Sequence, residues 1–257
     1  MNNLSQAIWV ETLKFRRSKM PLLTLLGFLL IPLMGGFFMI ILKDPEFARR
    51  VGLISAKAQL LAGAADWPTF LNLLAQATAV GGIFLFGFIG VWVFGREYAD
   101  HTVKDLLALP TSRTTIVLAK FVVVMGWSVA LTIIITLAGL VVGTAVSLPA
   151  VPSDIFWQGI ISIAISAVMI ITLVTPITFF ASAGHGYLPP LGVMILVIFL
   201  AQVIAIIGYG DYFPWSIPAL YAQGAPVSFD SYLLVFLTGI VGIAGTLLWW
   251  GFADQTY

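Results

Sequence analysis

Side chains suited to covalent or metal chemistry are scarce in this chain of 257 residues, which has no Cys and two His, His101 and His185. Without Cys there is no disulfide framework, no thiolate metal site and no thiol nucleophile, and no redox role follows. Ser182 and His185 are the sole Ser/His neighbours. They lie in the turn Ser182-Ala183-Gly184-His185-Gly186 and not in a G-x-S-x-G elbow or on facing helices, which argues against a nucleophile–base dyad. His185 reads instead as a turn residue at headgroup level. Two separate histidines, with no H-E-x-x-H motif and no carboxylate cluster, cannot complete a metal coordination shell. There is also no G-x-x-x-x-G-K-[ST] phosphate loop, so any ATP must be bound by a partner. The reading is of a chain with no catalytic residue, no metal ligand and no cofactor of its own.

The elements that must position the remaining polar groups follow from composition. The chain is 60% hydrophobic and 9% charged, against about 45–50% and about 25% in soluble domains. A water-soluble domain is excluded. A bilayer span takes about 20 apolar residues, and six runs qualify: Pro21 to Leu42, Phe70 to Phe94, Ile116 to Val146, Ile155 to Ala183, Leu188 to Ile207 and Tyr232 to Phe252. The fold expected is all-α, a polytopic membrane protein of six transmembrane helices forming a single domain over residues 1–257. The first run is too long for a signal-peptide core and is kept as a membrane anchor. With these limits every Asp and Glu falls in a loop or tail, so no span carries the buried carboxylate that proton- or sodium-coupled carriers use.

The formal net charge of +1 points to no nucleic acid. Charge placement is more informative. The basic residues form three groups: Lys14, Arg16, Arg17 and Lys19; Lys43, Arg49, Arg50 and Lys57; Arg96, Lys104, Arg113 and Lys120. The first and third share one side, which the positive-inside rule places, with both termini, in the cytoplasm.

Between the first two spans, Asp44-Pro45-Glu46 has the pattern of a helix start, and Phe47, Val51, Ile54, Ala58 and Leu61 recur at helical spacing away from Arg49, Arg50 and Lys57. This predicts an amphipathic helix on the outer leaflet in contact with membrane lipids. Span two carries a polar and small stripe that includes Asn72, Gln76, Gly87 and Gly90, a face that should meet protein or cavity. Gly139 and Gly143 read as a packing pair. Pro176 interrupts span four beside Thr172, Thr175 and Thr178, whose hydroxyls could satisfy the carbonyls that the bend frees. Between spans five and six, Tyr212, Phe213, Pro214, Trp215 and Pro218 predict short broken helices dipping back from the outer face.

The stretch from Gly95 to Arg113 reads as a short helix between two long rods. Thr102 followed by Asp105 has the form of a capping box, Ala99, Val103, Leu106 and Leu107 share a side, Pro110 ends the helix and Ser112 caps the next one.

Here the residues resemble a known family. Glu97-Tyr98, Thr102, Lys104, Leu106-Leu107, Pro110, Ser112-Arg113 and Lys120 are similar to the E-Y-x-x-x-T-x-K-x-L-L-x-x-P-x-S-R pattern of ABC transporter permeases of the second, exporter-type class. Glu11, Lys14 and Arg16-Arg17-Ser18 resemble the start of the bacitracin and lantibiotic-immunity type permeases of that class, where they belong to an N-terminal interfacial helix. Tyr212-Phe213-Pro214-Trp215-Ser216-Ile217-Pro218 resembles the outer segment between spans five and six. His101 departs from the small residue, often Gly, of its position.

The resemblance implies a permease of the bacterial inner membrane, paired with a second copy and with two cytoplasmic ATPase subunits that hold the ATP and Mg. In it the loop after span two is the coupling helix, here Glu97, Tyr98, His101, Thr102, Lys104, Asp105, Leu106, Leu107, Pro110, Ser112 and Arg113. Spans two and five line the route, which makes Asn72, Gln76 and Gln202 the pathway candidates, and Phe213, Pro214, Trp215 and Pro218 an outer gate. The expected function is export of an amphiphilic or peptide-like substrate such as an antibiotic or lipid. The alternatives are a membrane receptor or immunity protein that sequesters such a molecule, and an intramembrane hydrolase using Ser182 and His185.

Overall fold

The computed structural model describes residues 3–44, 64–108 and 110–252. The expected outer amphipathic helix, from Pro45 onward, lies outside the described residues, and Asp44 itself ends the preceding helix. The elements are α1 (Asn3–Arg16), α2 (Met20–Lys43), α3 (Trp67–Ala99), α4 (Val103–Leu107), α5 (Arg113–Ala145), α6 (Ser153–Ala183), α7 (Leu188–Ile206), a 3-10 turn Gly210–Tyr212, α8 (Ile217–Ala222) and α9 (Phe229–Phe252). Among the described residues six helices, α2, α3, α5, α6, α7 and α9, are long and apolar enough to cross a membrane. They are the six runs read from the sequence.

The local signals explain the limits. Pro21 stands in the first turn of α2 and Pro68 in that of α3, where no backbone donor is lost. The Asp66 carboxylate caps α3 by accepting from Thr69 N at 2.9 Å, and Ser112 caps α5 by accepting from Thr115 N at 3.2 Å. Helices α3 and α5 each run for 33 residues, about 50 Å at 1.5 Å per residue, against a hydrocarbon layer of about 30 Å. Both therefore extend past the membrane and carry their polar ends with them. This corrects the placement of all carboxylates in loops: Glu97 lies inside the second membrane helix and is buried. The last turn of α3 can hold it because two lysines pair it there.

Helices α3 and α6 form the most extensive contact of the bundle, with α9 packed on the other side of α6. Lipid tails are as apolar as leucine, so these helices associate by close packing and hydrogen bonds, not by escape from water. Phe28 of α2 stacks on Phe86 of α3 with ring centroids 4.7 Å apart, an arrangement worth about 0.5–1.5 kcal/mol beyond area burial. Gly139 and Gly143 of α5 do admit a neighbour, facing Leu74 and Trp67 of α3. At Pro176 the carbonyl of Thr172 lacks its usual helical donor, and Thr175 Oγ1 lies 2.9 Å from it and 2.7 Å from the Gly239 carbonyl of α9. The threonine thus serves both the bend and the contact between the two helices. Leu22, Leu26, Leu30 and Leu33 on α2 and Ile195 and Phe199 on α7 form an exposed apolar belt suited to lipid.

Several helices end alike. At the end of α3, Thr102 N donates to Glu97 O at 2.8 Å and His101 N to Tyr98 O at 3.2 Å, with His101 at φ +55°. This is a Schellman turn whose left-handed position is usually glycine. The same paired bonds surround Ser147 and His185, at φ +56° and +52°. The unusual residue at position 101 thus sits where a side chain costs about 1–2 kcal/mol. After subtracting about 0.5–1 kcal/mol for the extra freedom of unfolded glycine, His101→Gly is expected to raise the thermal unfolding midpoint in detergent, whereas His101→Val should lower it.

Candidate functional site at the loop between α3 and α5

Four charged side chains from three helices meet behind this loop. Lys120, on the second turn of α5, is wholly buried, and its ammonium donates to Glu97 Oε2 at 2.8 Å, Glu11 Oε2 at 3.1 Å and the Val93 carbonyl at 2.8 Å. Three acceptors match the three N–H donors. Lys14 closes the ring from α1, 2.7 Å from Glu11 Oε1 and 3.2 Å from Glu97 Oε1. Each carboxylate bridges two lysines, so the cluster is neutral and each Glu oxygen has an ammonium partner. Such a site holds no open position for a transported ion. It is a joint: α1, α3 and α5 share it, and the loop from Asp100 to Ser112 hangs from its last turn.

Aromatic packing extends the joint to the other helices at this end. Tyr98 is buried edge-on against His185, centroids 5.2 Å apart, and against Trp250 of α9 at 6.0 Å. The guanidinium of Arg113 donates to the Trp250 carbonyl at 3.1 Å. The N-terminal helix, the α3–α5 loop, the turn at His185 and the end of α9 therefore gather at one end of the bundle. Arg96 pairs with Asp100 at 3.2 Å and lies over the Trp92 ring, an exposed pair of small energetic weight.

The loop divides its residues between two faces. Val103 is buried, and Leu106 and Leu107 pack half-buried against the core. His101, Thr102, Lys104, Asp105, Pro110, Ser112 and Arg113 are exposed. Thr102 stands at the N-cap of α4, but its side chain makes no capping bond. Its backbone N–H is used instead in the Schellman turn, and the five-residue helix follows directly. On α1, Glu11 and Lys14 enter the cluster, while Arg16 and Arg17 are exposed.

The other polar candidates fall elsewhere. Gln76 donates to Asn72 Oδ1, and Asn72 Nδ2 donates to the Ala222 carbonyl at 2.9 Å. These two amides tether the segment between α7 and α9 to α3. Ser216 Oγ ties the same segment to α7 through the Ala201 carbonyl at 3.0 Å. Phe213 and Trp215 pack against each other at 5.5 Å, and Pro218 is buried in the first turn of α8. Gln202 is exposed and borders a cavity of about 240 Å³ with Ala79 and Ile83 of α3, Trp215, Ser216 and Gln223. The Trp215 indole N–H is buried with no acceptor. Ser182 is fully buried, with Oγ 3.2 Å from the Thr178 carbonyl and 2.9 Å from the Trp250 indole N–H that it accepts. Its one proton serves its own helix.

Among the described residues the molecule is a polytopic helical bundle with a charge-locked loop between α3 and α5. The sequence model of the family described as ABC-2 family transporter protein matches residues 7–202, and the chain belongs to that family. It is a permease of the multi-pass membrane type, as the loop motif implies. It is also similar to the bacitracin transport permease protein BCRB of Bacillus licheniformis, 28% identical over 186 residues that cover 70% of this chain and 89% of the relative. No solved structure gives a significant match. The family match ends before the segment between α7 and α9, so Phe213 to Pro218 stand outside it.

Sequence reasoning named Glu11, Lys14, Glu97 and Lys120 separately and did not bring them together. A signal was available: Lys120 falls inside the third apolar run, and a charge there needs a partner.

Proposed function

We propose that this chain is the membrane subunit of an ATP-driven exporter that moves an amphiphilic or peptide-like molecule out of the cytoplasm or inner membrane. It works as a pair of identical permeases with two separate ATPase subunits, which hold the ATP and Mg, in the bacterial inner membrane with both termini in the cytoplasm. The observation that supports this most is the Glu11–Lys14–Glu97–Lys120 joint. A load applied to the exposed side of the α3–α5 loop reaches three helices at once, because paired charges in a low-dielectric site resist separation. ATP-driven approach of the two ATPases then tilts α3 and α5 as rods and opens the route beyond them.

On this reading the ATPase seat is the exposed face with His101, Lys104 and Asp105, while Leu106 and Leu107 hold the loop to the bundle. The route runs past Gln202, where the cavity is lined by the side chains of Gln202 and Gln223 among apolar residues, a lining suited to a molecule with both apolar surface and carbonyl groups. The named activity of the relative, bacitracin transport, is of that kind. The outer segment with Phe213, Pro214, Trp215 and Pro218 closes the route from the far side, held by Asn72.

The test is charge reversal on the seat. Lys104→Glu combined with Asp105→Lys should leave helical content unchanged, remove the ATPase from the purified complex and end export of the toxic substrate from cells. Unchanged recovery of the ATPase together with unchanged export would reject the seat. Protection of cells without any ATPase would establish the sequestering receptor instead.

A further inference from the structure

A groove of about 420 Å³ lies between α1, the start of α2 and α5, within the size range of sites for small ligands. It is open because Gly126 stands in its floor, where an added Cβ would meet no atom within 4 Å. Its walls are fixed. Phe15 is buried edge-on against Trp92 and Trp127, with centroids 5.7 and 5.6 Å apart, and the Trp127 indole N–H donates to Thr24 Oγ1 at 3.0 Å. Val122 and Pro21 complete an apolar lining that faces the side of the bundle.

One end of this groove is cationic. Arg16 lines it beside Thr12, and Arg17 and Lys19 follow in the short link to α2; all three cations are exposed. Among the described residues none of the three forms an ion pair, although the nearby Lys14, Arg96 and Lys120 all do. An apolar channel along a membrane helix, ending at uncompensated positive charge where the chain leaves the span, has the layout of a phospholipid: acyl chain first, phosphate second. Charge complementarity selects the anionic kind.

We propose that this groove binds one anionic glycerophospholipid from the leaflet on which α1 lies, with an acyl chain against Gly126 and Trp127 and the phosphate on Arg16. The lipid holds α1 on the face next to the one that carries Glu11 and Lys14. The helix that reaches the charged joint is then seated on a lipid as well as on α5.

Tryptophan quenching reads the site directly. The full chain is reconstituted in phosphatidylcholine vesicles in which either phosphatidylcholine or phosphatidylglycerol carries brominated acyl chains, and the signal of Trp127 is the difference between the unaltered chain and Trp127→Phe. Brominated phosphatidylglycerol is expected to quench Trp127 at a lower mole fraction than brominated phosphatidylcholine. Arg16→Gln should reduce that preference about fivefold, the factor one basic residue contributes at an anionic surface. Gly126→Leu fills the floor with a better helix former, so the fold persists and Trp127 loses its quenching by both lipids. Equal quenching by the two lipids in the unaltered chain, or quenching untouched by Gly126→Leu, overturns the proposal. Loss of self-association in Gly126→Leu without change in quenching also overturns it, because a second copy of the chain then covers the groove.

Discussion

Lys120→Met is expected to be among the most damaging single changes in the chain. It removes the central ammonium and leaves the Glu11 and Glu97 carboxylates, both buried, sharing Lys14 at the rim. Breaking a buried ion pair from one side costs about 3–5 kcal/mol, because the stranded charge keeps its desolvation penalty. The measurement is thermal or denaturant unfolding of the detergent-solubilised protein. The triple change Lys120→Met, Glu97→Gln, Glu11→Gln should recover most of the loss, since no carboxylate is then stranded. If the single and triple variants are equally unstable, the damage lies in packing and not in charge. The proposed export function predicts a further difference: the triple variant should fold and still transport poorly, because neutral contacts between α1, α3 and α5 yield more easily under load.

Gly242→Leu should be comparably severe for a different reason. A Cβ at this position on α9 would come within 2.6 Å of the Thr175 carbonyl carbon in the backbone of α6, next to Pro176. Backbone cannot turn aside as a side chain can, so α9 must move off α6 and the Thr175 contact with the Gly239 carbonyl is lost with it. Overpacking of this kind costs about 1–3 kcal/mol, and loss of the threonine contact adds to it. Gly251→Leu is the control on the same helix. No atom lies within 4 Å of a Cβ there, and its unfolding midpoint should stay within experimental scatter of the unaltered chain. Equal effects at the two positions would mean that helix propensity, and not the contact with Pro176, governs the response.

The difference between these two sites and the helices around them shows what a linear reading can reach. The six spans, the Ser112 cap, the threonines at Pro176 and the short helical pieces between the last two spans were legible because each rests on neighbours in sequence: an apolar run, a cap three residues from its donor, a hydroxyl one turn from a freed carbonyl. The loop motif was legible for the same reason, and it led to the family. Asn72 and Gln76 were placed on one face of α3 correctly, yet their partner, the Ala222 carbonyl, is 150 residues away from Asn72. Nothing local distinguishes such a tether from a lining of the route.

Composition and periodicity by themselves determined a six-span helical membrane protein, because bilayer thickness and the need to satisfy backbone hydrogen bonds within the membrane make long apolar runs into spanning helices. Tertiary structure alone decided which polar groups meet. Glu11 and Lys120 are 109 residues apart and come within 3.1 Å, and Gly242 meets the backbone of α6 only because α9 crosses it at Pro176. Helix formation is dictated by interactions within a few turns, whereas the pairing of helix faces is a property of the whole bundle, in which each face is chosen by what the others leave to be filled.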